Sequence, residues 1–419
     1  MWLNKKFDYI STESAHKLLM QSIKFQPKRE SISVSEANSR VLAENIVSDV
    51  NIPSFDVSHF DGYAVRAEDT YKASSQKPVC LRVVSQANKQ EYRINPGETA
   101  PILTGNPLPA GADSVIPVER IKLEEEAVKI HHSSKPLEHV IPKGRDVKAG
   151  EKIFKTGHLF RPQDTKLLMD IKIWNVWVFK KPKVVVASIG NELTNCVEQA
   201  DLKKFSSLEI MIAIMIAESG GIPIRIEIVQ DEPETIRQAV RRALGEADIV
   251  TTIGGSSVGE KDYTWEAINS LNPSLKIRGI KIHPGRVTSF GLVENKPVVM
   301  LAGHVQSALV GFFTMLLPII QLGSGITAIV QPTLEAKMGE KLAIEEFVSF
   351  KRVRFVKLNE VNGHFIAIPE LGDSSLTSIL VKTNGYVIIN ENKTIIRKGE
   401  RVRVNFLPGL FPFQLLQRN

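Results

Sequence analysis

Between Lys183 and Ile320 apolar runs of strand length alternate with segments of helical period, and that order leaves few folds open. Val184 to Ile189 reads as a continuous strand, apolar but for Ser188, Ser207 to Glu218 has helical spacing, Ile222 to Val229 reads as a strand and Glu234 to Leu244 as a helix. Ile249 to Ile253, Tyr263 to Leu271, Val298 to Leu301 and Ser307 to Ile320 continue the alternation as strand, helix, strand and buried helix. Near-continuous hydrophobicity implies strands covered on both faces, and strands separated by helices run parallel. A parallel α/β domain is therefore expected over residues 182–328.

The remainder is predicted to be β-rich, which makes the whole chain multidomain α/β plus β. Residues 52–140 carry short β-rich runs such as Val79 to Val84 and Ser114 to Val118, punctuated by Asn95-Pro96-Gly97 and Pro109-Ala110-Gly111. These suit a small inserted β-domain. Residues 1–51 and 141–181 then form a discontinuous linking region, with helical spacing over Glu13 to Ile23 and Val34 to Leu42 and a Pro-initiated helix from Pro162 to Ile171. Phe350 to Lys357, Phe365 to Ile368, Gly385 to Ile389 and Arg401 to Phe406 are strand candidates of a C-terminal β-domain over residues 329–419.

Composition narrows the class. Apolar residues make up 43% and charged residues 24%, enough to build buried cores, so disorder is not expected. Val305 to Val330 lacks charge and is long enough to cross a bilayer, but Pro318, Gln321, Gly323, Ser324 and Gly325 interrupt it; a buried helix followed by a turn and a strand is expected, with no membrane partner. Cys80 and Cys196 are too few for a disulfide framework, and the N-terminal residues lack the pattern of a secretory signal, so a cytoplasmic setting is expected. The formal charge of +7 is spread over scattered groups such as Lys180, Lys181 and Lys183, or Arg237, Arg241 and Arg242, which read as solvated faces; nucleic acid is not the expected partner.

Ligands of an open parallel sheet bind at loops leaving the carboxyl ends of its strands. The unusual residues fall there: Gly190-Asn191-Glu192, Gln230-Asp231, Gly254-Gly255-Ser256-Ser257, Asp262, His283-Pro284-Gly285-Arg286 and Ala302-Gly303-His304. Gly-rich turns let backbone N–H groups approach oxyanions, and the carboxylates of Glu192, Asp231 and Asp262 could hold Mg2+ beside a phosphate. Singly, such residues are common turn and cap choices. Their recurrence at successive strand ends points to one cleft for a phosphorylated or oxyanionic ligand.

Several motifs make the reading specific. Ile52-Pro53-Ser54-Phe55-Asp56-Val57-Ser58-His59-Phe60-Asp61-Gly62-Tyr63-Ala64-Val65 resembles the Pro-Pro-Phe-Asp-Asn-Ser-Ala-Met-Asp-Gly-Tyr-Ala-Val signature of the molybdopterin molybdenumtransferase family, the MoeA and gephyrin E-domain group. Pro96-Gly97-Glu98, Ile102-Leu103-Thr104-Gly105, Pro109 to Val115, Gly144-Arg145-Asp146 and Gly150-Glu151 are similar to further family segments in the family's order. Gly254 to Tyr263 resembles Gly-Gly-Val-Ser-Val-Gly-x-x-Asp-Tyr, and Asp373-Ser374-Ser375-Leu376 and Asn384-Gly385 also fit.

The resemblance implies a homodimer that takes adenylylated molybdopterin, inserts molybdate or tungstate, and releases AMP with Mg2+. Its α/β domain would be of the MoaB/Mog type, and a molybdopterin adenylyltransferase becomes a candidate partner. Asp61 and Thr104 would reach a cleft of the neighbouring subunit. Glu192 and Asp231 would hold metal, while Asp61, Asp262, His283 and Arg286 would carry the chemistry. Thr104, Gly254, Gly255, Ser257, Pro284, Gly285, Gly303 and His304 would surround the pterin nucleotide.

Departures cluster in that cleft. Gly-Asp-Glu-Leu becomes Gly190-Asn191-Glu192-Leu193, Tyr-Asp-Ser/Thr-Asn becomes Lys204-Phe205-Ser206-Ser207, Lys-Pro-Gly-Lys-Pro becomes His283-Pro284-Gly285-Arg286-Val287, and Pro-Gly-Asn-Pro becomes Ala302-Gly303-His304-Val305. Free imidazole titrates near ~6.5, so His283 would lack the lysine's charge at neutral pH. The alternative is a paralogue that binds a pterin nucleotide or another phosphorylated ligand without inserting metal.

Overall fold

Described by the computed structural model are residues 7–84, 93–199, 201–255, 262–326, 332–344 and 346–407, with the side chains of 225–227 excepted. Their contacts divide the chain into two units, residues 1–30, 39–41 and 179–419, and residues 31–38 and 42–178.

The first unit is built on the expected alternation. In chain order it contains α1 Thr12–Ser22, β1 Lys183–Ile189, α2 Ser207–Glu218, β2 Ile222–Val229, α3 Pro233–Glu246, β3 Ile249–Gly254, α4 Tyr263–Asn269, β4 Leu275–Arg278, β5 Ser289–Val293 and β6 Lys296–Leu301. The sheet order is β2-β1-β3-β6-β5-β4. The first four strands are parallel, but β5 runs antiparallel to both β6 and β4, so the expected all-parallel sheet is a mixed one. The short β4 and β5 escaped the sequence reading because no helix separates β5 from β6, which are joined by a turn with positive φ at Glu294 and Asn295.

β1 is buried over Val184–Ile189, as its apolar run required, with Ser188 the one polar residue in it. One face of the sheet packs on α3 through Ile236, Val240 and Leu244. The other is covered by α2 and by the helix Val305–Gly323, which contains a π turn at Phe312–Leu316. That charge-free helix is 72% buried, which accounts for its hydropathy without a membrane. Thr327 to Val330 of the expected following strand lie outside the described residues.

The C-terminal strands are β7 Thr333–Met338, β8 Lys351–Val361, β9 His364–Pro369, β10 Gly385–Ile389 and β11 Arg401–Phe406. β8 pairs with β9 on one side and β10 on the other, and β9-β7-β11-β10 completes the ring, so the sheet closes on itself around Val356, Leu358, Ala367 and Val404. The two-residue strand Ile282–His283 pairs with Lys351–Arg352, fastening the barrel to the α/β part of the same unit.

The second unit contains a six-stranded sheet in the order Ser114–Pro117, Gly62–Val65, Glu98–Ile102, Val79–Val83, Ala127–Ile130, Ile121–Glu124. A separate core around Val34, Leu42, Val147, Phe154, Phe160 and Leu168 draws on both sides of that segment. The helix expected from Val34 to Leu42 is absent: a single 3-10 turn, Val34–Glu36, is followed by Ser39 at φ 61°, a left-handed conformation no α-helix continues through. Its apolar residues are buried all the same, so the spacing reported burial rather than helicity.

Candidate functional site

Two groups of side chains gather at the carboxyl edge of the α/β sheet. The first forms where β1, β2 and β3 end. Gly190 accepts the turn because its N–H donates to the Val229 carbonyl at 3.1 Å, and the Glu192 carboxylate folds over it, 2.7 Å from where a Cβ would stand. The Asp231 N–H donates to Asn191 Oδ1 at 3.1 Å, bringing Glu192 and Asp231 to the same corner. Asp231 Oδ1 is buried without a hydrogen-bond partner, and burial, then the Glu192 carboxylate, raise its pKa above the usual carboxyl value. A divalent cation would relieve both penalties, and magnesium characteristically takes one or two carboxylates with the rest of its shell from water and phosphate. Among the described residues no group of three or more His, Cys, Asp or Glu could hold a metal, so a metal requiring an all-protein cage is not suited here.

Beside this corner, Gly254 (φ +87°) and Gly255 (φ +62°) turn the chain after β3; a Cβ on Gly254 would lie 2.7 Å from the Ile189 carbonyl oxygen, and one on Gly255 2.2 Å from Thr264 Oγ1. Gly303 closes from β6, its would-be Cβ 3.7 Å from the Gly254 Cα. Ser257 lies outside the described residues. Asp262 sits next to these glycines but faces away from solvent: it caps α4 by accepting from Trp265 N at 3.2 Å and pairs with Arg278 at 3.0 Å, 6% exposed.

The second group lies against the barrel. His283 stacks on Phe347 with ring centroids 4.2 Å apart, and burial, then the Arg354 and Arg286 guanidinium groups, push its pKa down to about 4. It is neutral at pH 7, as the sequence suggested, and its Nδ1 is buried without a partner. Arg286 lies over the same Phe347 ring at 4.9 Å and donates to Tyr9 Oη at 3.3 Å. Pro284 follows a cis peptide, and Gly285 (φ +110°) has a backbone conformation that favours glycine, with Val310 crowding the place of a side chain at 3.1 Å. His283 and Pro284 line a cavity of about 320 Å3 with Gln306, Arg354, Glu370, Asp373 and Ser374 among others. Glu346 also lines it, so one guanidinium and a neutral imidazole face three carboxylates. Burial and then Arg352 lower the pKa of Arg354.

His304 joins the two groups. It follows Gly303 of the glycine rim, and its Nδ1 lies 3.0 Å from Ser374 Oγ on the cavity wall. Asp61 and Thr104 belong to the other unit, where Asp61 Oδ1 accepts from Thr104 N at 2.7 Å and from Thr104 Oγ1 at 2.8 Å. Those two bonds hold the Asp61 carboxyl below its usual pKa.

Arg354 and Gln306 were not among the sequence candidates. Arg352 and Arg354, two apart on one strand, are a same-face pair that the apolar alternation of β8 could have flagged. Gln306, with Ser307 beside it, is a buried polar residue in the first turn of a mostly apolar helix.

The fold defines a multidomain α/β protein with β-domains before and after the α/β segment in the sequence. Residues 10–171 match the MoeA N-terminal region (domain I and II), residues 185–322 the family described as "Probable molybdopterin binding domain", and residues 335–407 the MoeA C-terminal region (domain IV). A molybdopterin biosynthesis protein of Methanocaldococcus jannaschii is 30% identical over 389 residues, 91% of this chain and 92% of its own. The molybdopterin molybdenumtransferase of a Nostoc species is 27% identical, covering 93% and 91%. The crystal structure of a molybdopterin biosynthesis MoeA protein from Pyrococcus horikoshii superposes with a TM-score of 0.81 at 27% identity, over 96% of this chain and 100% of that one. The chain belongs to the MoeA family of molybdopterin molybdenumtransferases.

Proposed function

We propose that this chain acts in molybdenum cofactor biosynthesis by inserting molybdate, or tungstate, into adenylylated molybdopterin with release of AMP, as a homodimer whose cleft receives Asp61 and Thr104 from the neighbouring subunit. The observation that carries the reading is the acidic corner beside the glycine rim: Glu192 and the unpartnered, buried oxygen of Asp231 at the edge where Gly254, Gly255 and Gly303 converge. The corner and rim suit a phosphate anhydride with its cation, and the adjoining cavity suits the other end of the same ligand.

In this reading Glu192 and Asp231 hold Mg2+, which would neutralise charge on the phosphates as AMP leaves. The glycines bring backbone N–H groups close to those oxygens, and Asp262 acts from behind, fixing the start of α4 through its cap rather than touching the ligand. Arg286 and His283 border the site of metal insertion. A molybdopterin adenylyltransferase is the enzyme that would hand over the substrate.

Incubating the full chain with adenylylated molybdopterin, molybdate and Mg2+ should release AMP, and Asp231→Asn should slow release at least about tenfold while the protein stays folded, since the cation loses a charged ligand. Unchanged release in that variant would move the metal elsewhere. The neutral His283 and the three carboxylates of the cavity favour a second reading, a paralogue that binds the pterin nucleotide without inserting metal. Tight binding with no molybdate-dependent AMP release would select it, and His283→Lys with Ala302→Pro would then be the pair expected to restore turnover.

A further inference from the structure

Where the family has Pro-Gly-Asn-Pro, this chain has Ala302-Gly303-His304-Val305, and the next residue, Gln306, is tied to the turn 373–376. Gln306 is 5% exposed. Its Nε2 donates to the Asp373 carbonyl at 2.9 Å and to the Leu376 carbonyl at 3.2 Å, and its backbone N–H donates to the Ser374 carbonyl at 3.1 Å. Both side-chain partners are carbonyls, so only the amide NH2 can face them. One side chain thus grips both ends of the turn 373–376, and His304, two residues earlier, adds its bond to Ser374 Oγ. Within the turn the Asp373 carboxylate accepts from Ser375 N at 2.8 Å. Asp373, Ser374 and Gln306 itself are wall residues of the cavity that also holds His283 and Arg354.

We propose that Gln306 is a positioning residue for ligand binding: it fixes the 373–376 turn as the barrel-side wall of the cavity and thereby sets affinity for the part of the ligand that enters it, as distinct from the part held at the glycine rim. The inference rests on the reading that a pterin nucleotide spans rim and cavity. A donor is required at this position because two carbonyls of the turn accept from the one buried amide. An aliphatic side chain of similar volume leaves them unpaired, and a carboxylate puts oxygen against oxygen.

The test uses the full-length chain and two probes, AMP, which can engage only the rim, and adenylylated molybdopterin, which needs rim and cavity. Titration calorimetry on wild type, Gln306→Leu and Gln306→Glu should show at least about a tenfold loss of affinity for adenylylated molybdopterin in both variants, with AMP affinity within about twofold of wild type. Hydrogen exchange should quicken at the amides of 373–376 and not at β1 or β3. Equal losses for both probes, or exchange quickened throughout the unit, would mean that Gln306 only stabilises the fold and would overturn the proposal, as would unchanged affinity for both. If wild type binds neither probe, the pterin-nucleotide reading itself fails, and this inference with it. If wild type binds both and the variants match it, only the inference fails.

Discussion

His283 shows how a single replacement changes the electrostatics of a site without changing its frame. A lysine would bring a charge to the cavity; the imidazole, pressed against Phe347 and flanked by Arg354 and Arg286, stays neutral down to about pH 4. The folded pKa lies below the ~6.5 of a free imidazole, so between those values the unfolded chain binds a proton that the folded chain refuses. Stability from this group is therefore complete above about pH 6.5 and declines as pH falls toward 4. Its partial exposure limits the loss to about 1–2 kcal/mol after screening. Urea unfolding near pH 7 and near pH 5 should show that decline in wild type and a smaller one in His283→Gln, which cannot take up the proton. Parallel declines would mean that His283 is not held neutral. This residue was visible in the sequence because the substitution falls inside a motif. Arg354 was not, since its importance comes from the barrel folding back onto the α/β part.

Elements were legible in proportion to how local their causes are. α2, β2, β10 and β11 have the bounds read from the sequence, because each is closed by a polarity change or a turn residue of its own. The Val34 to Leu42 segment failed because one left-handed residue, Ser39, outweighs a helical spacing of apolar positions. β4 and β5 were missed because they join the sheet antiparallel, β5 through a tight turn to β6, with no helix between strands to mark the alternation. α1 lies far from the α/β segment in sequence yet places Ala15, Leu19 and Ile23 in its core beside Val184, Ile216 and Ile320. Leu19 is fully buried, so Leu19→Ala should cost about 2–5 kcal/mol in chemical denaturation. Because its neighbours belong to the α/β core, the loss should appear as a shift of the main transition of that unit. A cost below ~0.5 kcal/mol would mean that α1 is not an integral part of that core.

At the scale of the whole molecule, the acidic corner and the glycine rim belong to one unit, while Asp61 and Thr104 belong to the other, with Asp61 Oδ1 tied to the Thr104 N–H and hydroxyl. A site that needs both sets can be completed within a chain or between chains, and a defect test separates the two. Asp61→Asn and Asp231→Asn each damage every site in a homodimer of like chains. If the site is completed within one chain, mixing the two variants restores nothing, because each chain still carries its own defect. If it is shared between subunits, a mixed dimer has one site with both defects and one with neither. Random reassortment makes about half the dimers mixed, so about a quarter of wild-type AMP release should return. The measurement is AMP release from co-refolded or co-expressed variants, with each variant alone as the baseline. Recovery near that fraction supports the shared site, and a mixture no better than its components would show that Asp61 serves its own chain or no site at all.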